Sequence, residues 1–308
     1  MPIIQNDEIW KKWRAQYNVN SDFEVMLEME KKFPGIFWKS FQTALNPKIL
    51  YQYTTIQALT MILSTKKLKL NSLINVDDKE EGLTNDIGNM RKYFFASCWT
   101  SEMCESIPMW EMYGGKMAGV RIGLPENPFA IHQFDYITQN LQINKNAYIY
   151  IPDEYVINDE YILLPKTSLL EPIIYTDDES LLKPKVIKMQ NIESTHLEFG
   201  KIGKYKSKYW EFQKEVRYLT NVFPGAGIKV LDKLSPEKQS EVLLNGIFSN
   251  KNISIDAIYL DLNPHLLKNI QIILGPKISE SDRSLVQLLC EKYAPNAVIQ
   301  NSVLTGKV

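Results

Sequence analysis

From Ile49 onward the chain alternates short strand-patterned runs with a few helix-patterned ones, and long irregular stretches separate them. That rhythm constrains the fold more than any other feature. A doubly wound sheet needs regular strand–helix alternation, so the pattern predicts an α+β domain with mixed, largely antiparallel sheets and flanking helices. Ile49–Tyr53 reads as a first strand. Thr54 or Thr55 then caps a helix carrying Ile56, Leu59, Ile62 and Leu63 on one face. Leu68–Leu70, Tyr93–Trp99 and Gly119–Leu124 read as strands, and Pro108 opens a short helix that Gly114-Gly115 stops. Further on, the patterns predict strands at 148–151, 161–164, 172–175 and 214–222, and a helix over 178–198. The C-terminal part reads as helix (236–246), strand (257–260), strand (270–274), helix (279–291) and strand (297–300). Residues 7–46 carry helical periodicity of their own, which divides the chain into an N-terminal helical extension, 1–46, and an α+β domain, 47–308.

Composition excludes several classes of function. The 308 residues carry 35 basic and 36 acidic side chains, so no whole-protein field steers toward nucleic acid or an anionic membrane. No apolar run approaches the ~20 residues of a membrane span, and the N-terminus lacks the pattern of a signal peptide. Three unpaired-looking cysteines, Cys98, Cys104 and Cys290, suit a reducing compartment, and the expectation is a cytoplasmic protein without membrane partners. His132, His196 and His265 are far apart and form no zinc pattern, so no metal is expected. Phosphate-binding loops, dinucleotide fingerprints and nucleophile elbows are missing from the sequence.

Four segments remain as candidates for chemistry. In Trp210–Thr220, strand alternation sets Gln213, Glu215 and Arg217 on one face. The bland reading is a solvated Glu/Arg pair on an edge strand; the functional one is a carboxylate that stabilises a developing cation, steadied by Arg217. In Ser97–Glu102 with Pro108–Gly114, the Met/Trp/Tyr cluster suits core packing, or else Trp110 and Tyr113 wall a planar ring. The acidic turn Asn75–Gly82 suits a solvated loop, or else Asp77, Asp78, Glu80 and Glu81 hold a hard cation. Lys201–Trp210 interleaves lysines with aromatics, as a phosphate or single-strand site would, and as snorkelling lysines also would.

Taken in order, Leu50–Thr55, Ile62–Ser64, Asn75–Glu81, Ser97–Thr100, Met109-Trp110-x-x-Tyr113, Lys206-Ser207…Trp210…Glu215-x-Arg217 and Ile273–Pro276 resemble a bacterial family catalogued as domain of unknown function 2971, over roughly 48–305. That family's layout is similar in turn to ADP-ribosyltransferase-like proteins, which implies a split β-sandwich and an NAD cleft. By this resemblance Gln52, Tyr53 and Thr54 form the opening cofactor motif, Trp110 and Tyr113 wall the nicotinamide, and Glu215 is the catalytic glutamate with Arg217 beside it. Gln52 stands where transferases often carry His or Arg, and Gln213 replaces an acidic residue of the family's signature. The implied function is an NAD-utilising transferase, of toxin or phage-defence type, with a protein or nucleic acid as candidate acceptor. Two alternatives stand beside it: a non-catalytic module that binds a small-molecule nucleotide or nucleic acid, and a metal-dependent nuclease built on the acidic turn.

Overall fold

The structure is a computed structural model and describes residues 48–134, 136, 141, 147–164, 168–191 and 194–308, together with residue 28. The expected N-terminal helices over 7–46 therefore lie outside the described residues, Glu28 apart, which is helical.

Nine strands form the principal sheet: β1 (Ile49–Thr54), β2 (Lys67–Ser72), β3 (Phe94–Thr100), β4 (Val120–Pro125), β5 (Leu170–Pro172), β6 (Glu215–Asn221), β7 (Ala257–Asp261), β8 (Gln271–Leu274) and β9 (Val298–Asn301). Their order is β7-β2-β3-β1-β4-β8-β9, with β6 added to β3 and β5 to β6. Every pairing is antiparallel except β8 with β9. The expected α+β class with a largely antiparallel sheet is what the chain forms, and the strands do not close into a barrel.

Local sequence accounts for these elements. Helix α1 (Ile56–Thr65) starts where the Thr55 side chain accepts the Ala58 N–H, and it buries Ile56, Leu59, Ile62 and Leu63. Helix α2 (Ile107–Met112) is capped by Ser106, with Pro108 in its first turn. Helices α3 (Pro236–Phe248) and α4 (Glu280–Tyr293) complete the longer set. The main core fills one face of the sheet, where Leu50, Trp99, Ile122, Tyr218 and Ile272 are all buried.

Two expectations are corrected. The helix predicted over 178–198 is a single turn, Glu179–Leu182, followed by a hairpin of Ile187–Asn191 with Ser194–Leu197. Pro184 halts the helix, and the polar–apolar alternation after it has the period of a strand. The strand predicted over 172–175 divides at Ile173. Its first part joins β6, whereas Ile174–Thr176 runs parallel to Tyr205–Ser207 in a separate two-stranded sheet.

The sheet forks at β3. One edge of β3 pairs with β6 along its whole length, from Phe94↔Asn221 to Thr100↔Glu215. The other edge is shared, with Phe95 and Ala96 opposite β2 and Thr100 opposite Tyr51 of β1. In the gap, the Gln52 amide donates to the Cys98 carbonyl at 3.0 Å and the Ser97 hydroxyl at 3.3 Å.

Candidate functional site

The register around Thr100 settles which side chains share a face. Glu215 on β6 and Tyr51 on β1 both lie opposite Thr100, and residues directly opposite project to the same side. Alternation adds Tyr53, Cys98 and Arg217 to that side, and the pairing of Tyr53 with Arg121 adds Arg121. Gln52 and Thr54, expected to open the same cleft, fall on the other face by the same alternation. The Gln52 bond to Ser97 agrees with this, because Ser97 is on that other face too.

Glu215 is the centre of a polar ring that is buried except at Tyr113 and Asp77. Its Oε1 accepts from the Arg217 Nε at 2.8 Å, and its Oε2 lies 3.1 Å from the Lys206 ammonium. Arg217 reaches on to Glu81 and donates to the Gly203 carbonyl at 3.2 Å. In the other direction Lys206 donates to Gln213 at 2.6 Å, the Gln213 amide donates to the Tyr113 hydroxyl at 2.7 Å, and Tyr113 donates to Asp77 at 2.9 Å. Asp77 and Glu81 belong to one turn, so the circuit closes on itself. Arg217 is 0% exposed, Glu81 4%, Lys206 5% and Glu215 6%. The solvated edge-strand pair is thereby overturned: β6 has neighbours on both edges, and its carboxylate and guanidinium are inside.

The turn that delivers Glu81 is itself constrained. Arg91 donates to the carbonyls of Leu73, Ile74 and Asp78, which pins the segment from within. Gly82 follows at φ +82°, and a Cβ there would meet the Arg91 Cγ at 2.9 Å. The turn's other acids diverge: Asp78 caps the Glu80 N–H, and Glu80 pairs with Lys183 at 2.8 Å. Among the described residues no group of three or more His, Cys, Asp or Glu could hold a metal ion. The nuclease alternative therefore has no ligand set in this turn.

The predicted strand over 214–222 begins one residue late. Lys208–Gln213 forms a 3-10 turn, and Lys214 adopts a left-handed φ of 44° before Glu215 opens β6. Gln213 is thus not on the strand, yet it is buried and contacts Lys206 from the turn. Three of the four lysines of the basic–aromatic segment are matched by a carboxylate: Lys204 by Glu171 at 3.0 Å, Lys206 by Glu215, and Lys208 by Asp177 at 2.6 Å. Lys206 also sits 5.0 Å from the Trp210 ring centroid.

The two aromatic walls separate. Tyr113 is half-buried and belongs to the ring. Trp110 is fully buried behind it, edge-on to Tyr53 at 4.9 Å, with its indole N–H donated to Glu105 at 2.8 Å. Tyr51 and Cys98 lie inside the motif segments but have no role assigned from sequence, and Arg121 lies outside every one of them. An arginine in the middle of the apolar run 119–124 was the available signal for the last.

Burial alone would raise the Glu215 carboxyl, but Arg217, Lys206 and the Cys98 thiol together outweigh it and hold it below its ordinary value of 4.5. Burial and the Glu215 charge push the Cys98 thiol up, so this half-buried sulfur is a neutral donor. A depressed carboxylate stabilises the fold above its unfolded-state value, and that contribution is lost as pH falls through the lower folded-state value. Stability should accordingly decline below about pH 4.5, and less steeply in Glu215→Gln. Urea midpoints measured from pH 6 to 3 check this; parallel curves would remove Glu215 as the source.

Residues 109–218 match the model of a family described as "Protein of unknown function (DUF2971)". Over these residues the chain is similar to that family. The match is narrower than the 48–305 span expected from the motifs, and the family's description carries no activity. The matched segment contributes Tyr113, Lys206, Gln213, Glu215 and Arg217 to the ring, while Asp77 and Glu81 come from outside it. No curated protein and no solved structure matches the chain. No helix among the described residues is long and apolar enough to cross a membrane.

Proposed function

We propose that the chain is an NAD-directed, ADP-ribosyltransferase-like protein in which Glu215 is the essential acid. The observation that carries the reading is a 6% exposed carboxylate, bonded to Arg217 and Lys206, on the sheet face it shares with half-buried Tyr51 and Cys98. Breaking the ribose–nicotinamide bond sends the bonding pair to the departing nicotinamide and leaves oxocarbenium character on the sugar. A carboxylate that accepts the ribose 2′-hydroxyl stabilises that charge more than it stabilises bound NAD. An acceptor nucleophile then adds to the sugar carbon and gives up its proton.

Both Glu215 oxygens are occupied, so one contact has to yield. Lys206 is the one able to do so. Its ammonium keeps the Gln213 carbonyl oxygen at 2.6 Å and the Trp210 ring at 5.0 Å after leaving Glu215, whereas Arg217 is enclosed between two carboxylates.

Charge balance favours a second reading. The buried carboxylates Glu81 and Glu215 are matched by Lys206 and Arg217, and the ring's third acid, Asp77, is exposed, so the buried part of the ring offers no surplus negative field, and a module that binds a nucleotide without cleaving it needs none. Calorimetry of the wild-type chain with NAD, followed by assay of free nicotinamide, separates the two. Heat of binding with nicotinamide release is the expected result. Binding with intact NAD leaves the second reading, and no binding ends both.

A further inference from the structure

Arg121 is the second residue of β4 and is 0% exposed. Among the described residues no carboxylate pairs with it. Its Nη1 donates to the Met103 carbonyl at 3.0 Å, its Nη2 donates to the Glu102 carbonyl, and its Nε, also buried, has no hydrogen-bond partner among the described residues. The guanidinium lies 4.0 Å over the Tyr51 ring and 5.2 Å from Tyr53. Enclosing a cation without a counter-ion is costly, and two neutral carbonyls are weak compensation. A guanidinium fork with a free Nε is matched in shape and charge to a phosphate.

The two carbonyls belong to the crest of the segment that follows β3. Its ends are tied down: the Glu102 N–H donates to Thr100 at 3.2 Å, the Ser106 N–H donates to the Tyr53 hydroxyl at 2.8 Å, and Glu105 holds the Trp110 indole and the Val303 N–H. Between these anchors Met103 is 81% exposed and Cys104 is exposed. The crest therefore spans Arg121 as a short lid whose inward polar contacts are carbonyl oxygens.

We infer that Arg121 is the binding group of a diphosphate subsite, and that the crest at residues 102–104 covers it until a diphosphate displaces the two carbonyls. Tyr51, on which Arg121 stacks, and Glu215 are both opposite Thr100, so they are two strand spacings apart, about 10 Å. A dinucleotide with its diphosphate on Arg121 has its sugar on the Glu215 side. The naming of a dinucleotide rests on the NAD reading above; the anion subsite itself does not.

The test uses the full 308-residue chain with a fluorophore on Cys104, which is exposed while Cys98 is half-buried and Cys290 buried. Inorganic pyrophosphate should change the fluorescence with saturation, and adenosine should not. Arg121→Met should weaken the half-saturation at least about tenfold, the effect of losing one charge-assisted contact. If that variant does not fold, Arg121→Lys, which keeps the charge but loses the fork, should weaken it about threefold or more. Equal responses in wild type and variant, or no pyrophosphate binding by wild type, overturn the subsite. Pyrophosphate binding that depends on Arg121, in a chain that leaves NAD untouched and unbound, upholds the subsite and removes the NAD reading. NAD turnover with an unchanged KM in the Arg121 variant does the reverse.

Discussion

Arg217→Met lowers the unfolding free energy by about 3–5 kcal/mol, the cost of removing one partner from a buried ion cluster. The side chain is 0% exposed and is enclosed by Glu81, Glu215 and the Gly203 carbonyl. Methionine fills much of the volume but leaves two carboxylates near each other, with only Lys206 to balance them. Chemical denaturation measures the loss. The double variant Arg217→Met/Glu81→Gln removes one stranded carboxylate and leaves the Lys206–Glu215 pair intact, so it should regain part of the deficit, with a coupling of about 0.5–3 kcal/mol. A loss below about 1 kcal/mol in the single variant would mean that water reaches the ring freely.

Trp110→Ala is expected to cost a similar amount, about 3–5 kcal/mol, for a different reason. The indole is fully buried, packs edge-on against Tyr53, and lies so close to Gly114 that a Cβ there would meet its Cε3 at 2.3 Å. Its N–H also anchors Glu105, which in turn holds Ser302 and the Val303 N–H of the C-terminal segment. Alanine therefore opens a cavity and frees a carboxylate tether at once. Tyr113→Phe should cost far less, about 1 kcal/mol, because only its hydroxyl is bonded, to Gln213 and Asp77. Thermal and urea unfolding of the pair distinguish a core tryptophan from a ligand wall. A Trp110→Ala protein of near-native stability would favour the wall.

The sequence was readable where local pattern and environment agree. The apolar spacing of Ile56, Leu59, Ile62 and Leu63 after Thr54-Thr55 predicts α1, with Thr55 as the cap it takes, and the alternation over 214–222 predicts β6. All four candidate segments supply members of the ring: Asp77 and Glu81 from the acidic turn, Tyr113, Lys206, and Gln213 and Glu215 with Arg217. Their mutual contact was not readable, because it depends on how strands far apart in the chain pair around Thr100. The acidic turn misled for a simple reason: carboxylates that dense read as solvated, yet one of them, Glu81, turns inward to meet Arg217. Composition likewise suggested a basic face at Lys204–Lys208, where each lysine has a carboxylate opposite. Arg121 is hard to single out because one cation inside an apolar strand changes its pattern little, and only burial exposes its lack of a counter-ion among the described residues.

Glu215→Gln preserves the shape of the side chain and its place opposite Thr100, while removing the charge on which the proposed chemistry depends. With NAD labelled in the nicotinamide ring, wild type should release the label at least about 100 times faster than the variant, at comparable NAD affinity. Equal release by the two proteins, or none from wild type, would contradict the assignment of Glu215 as the acid.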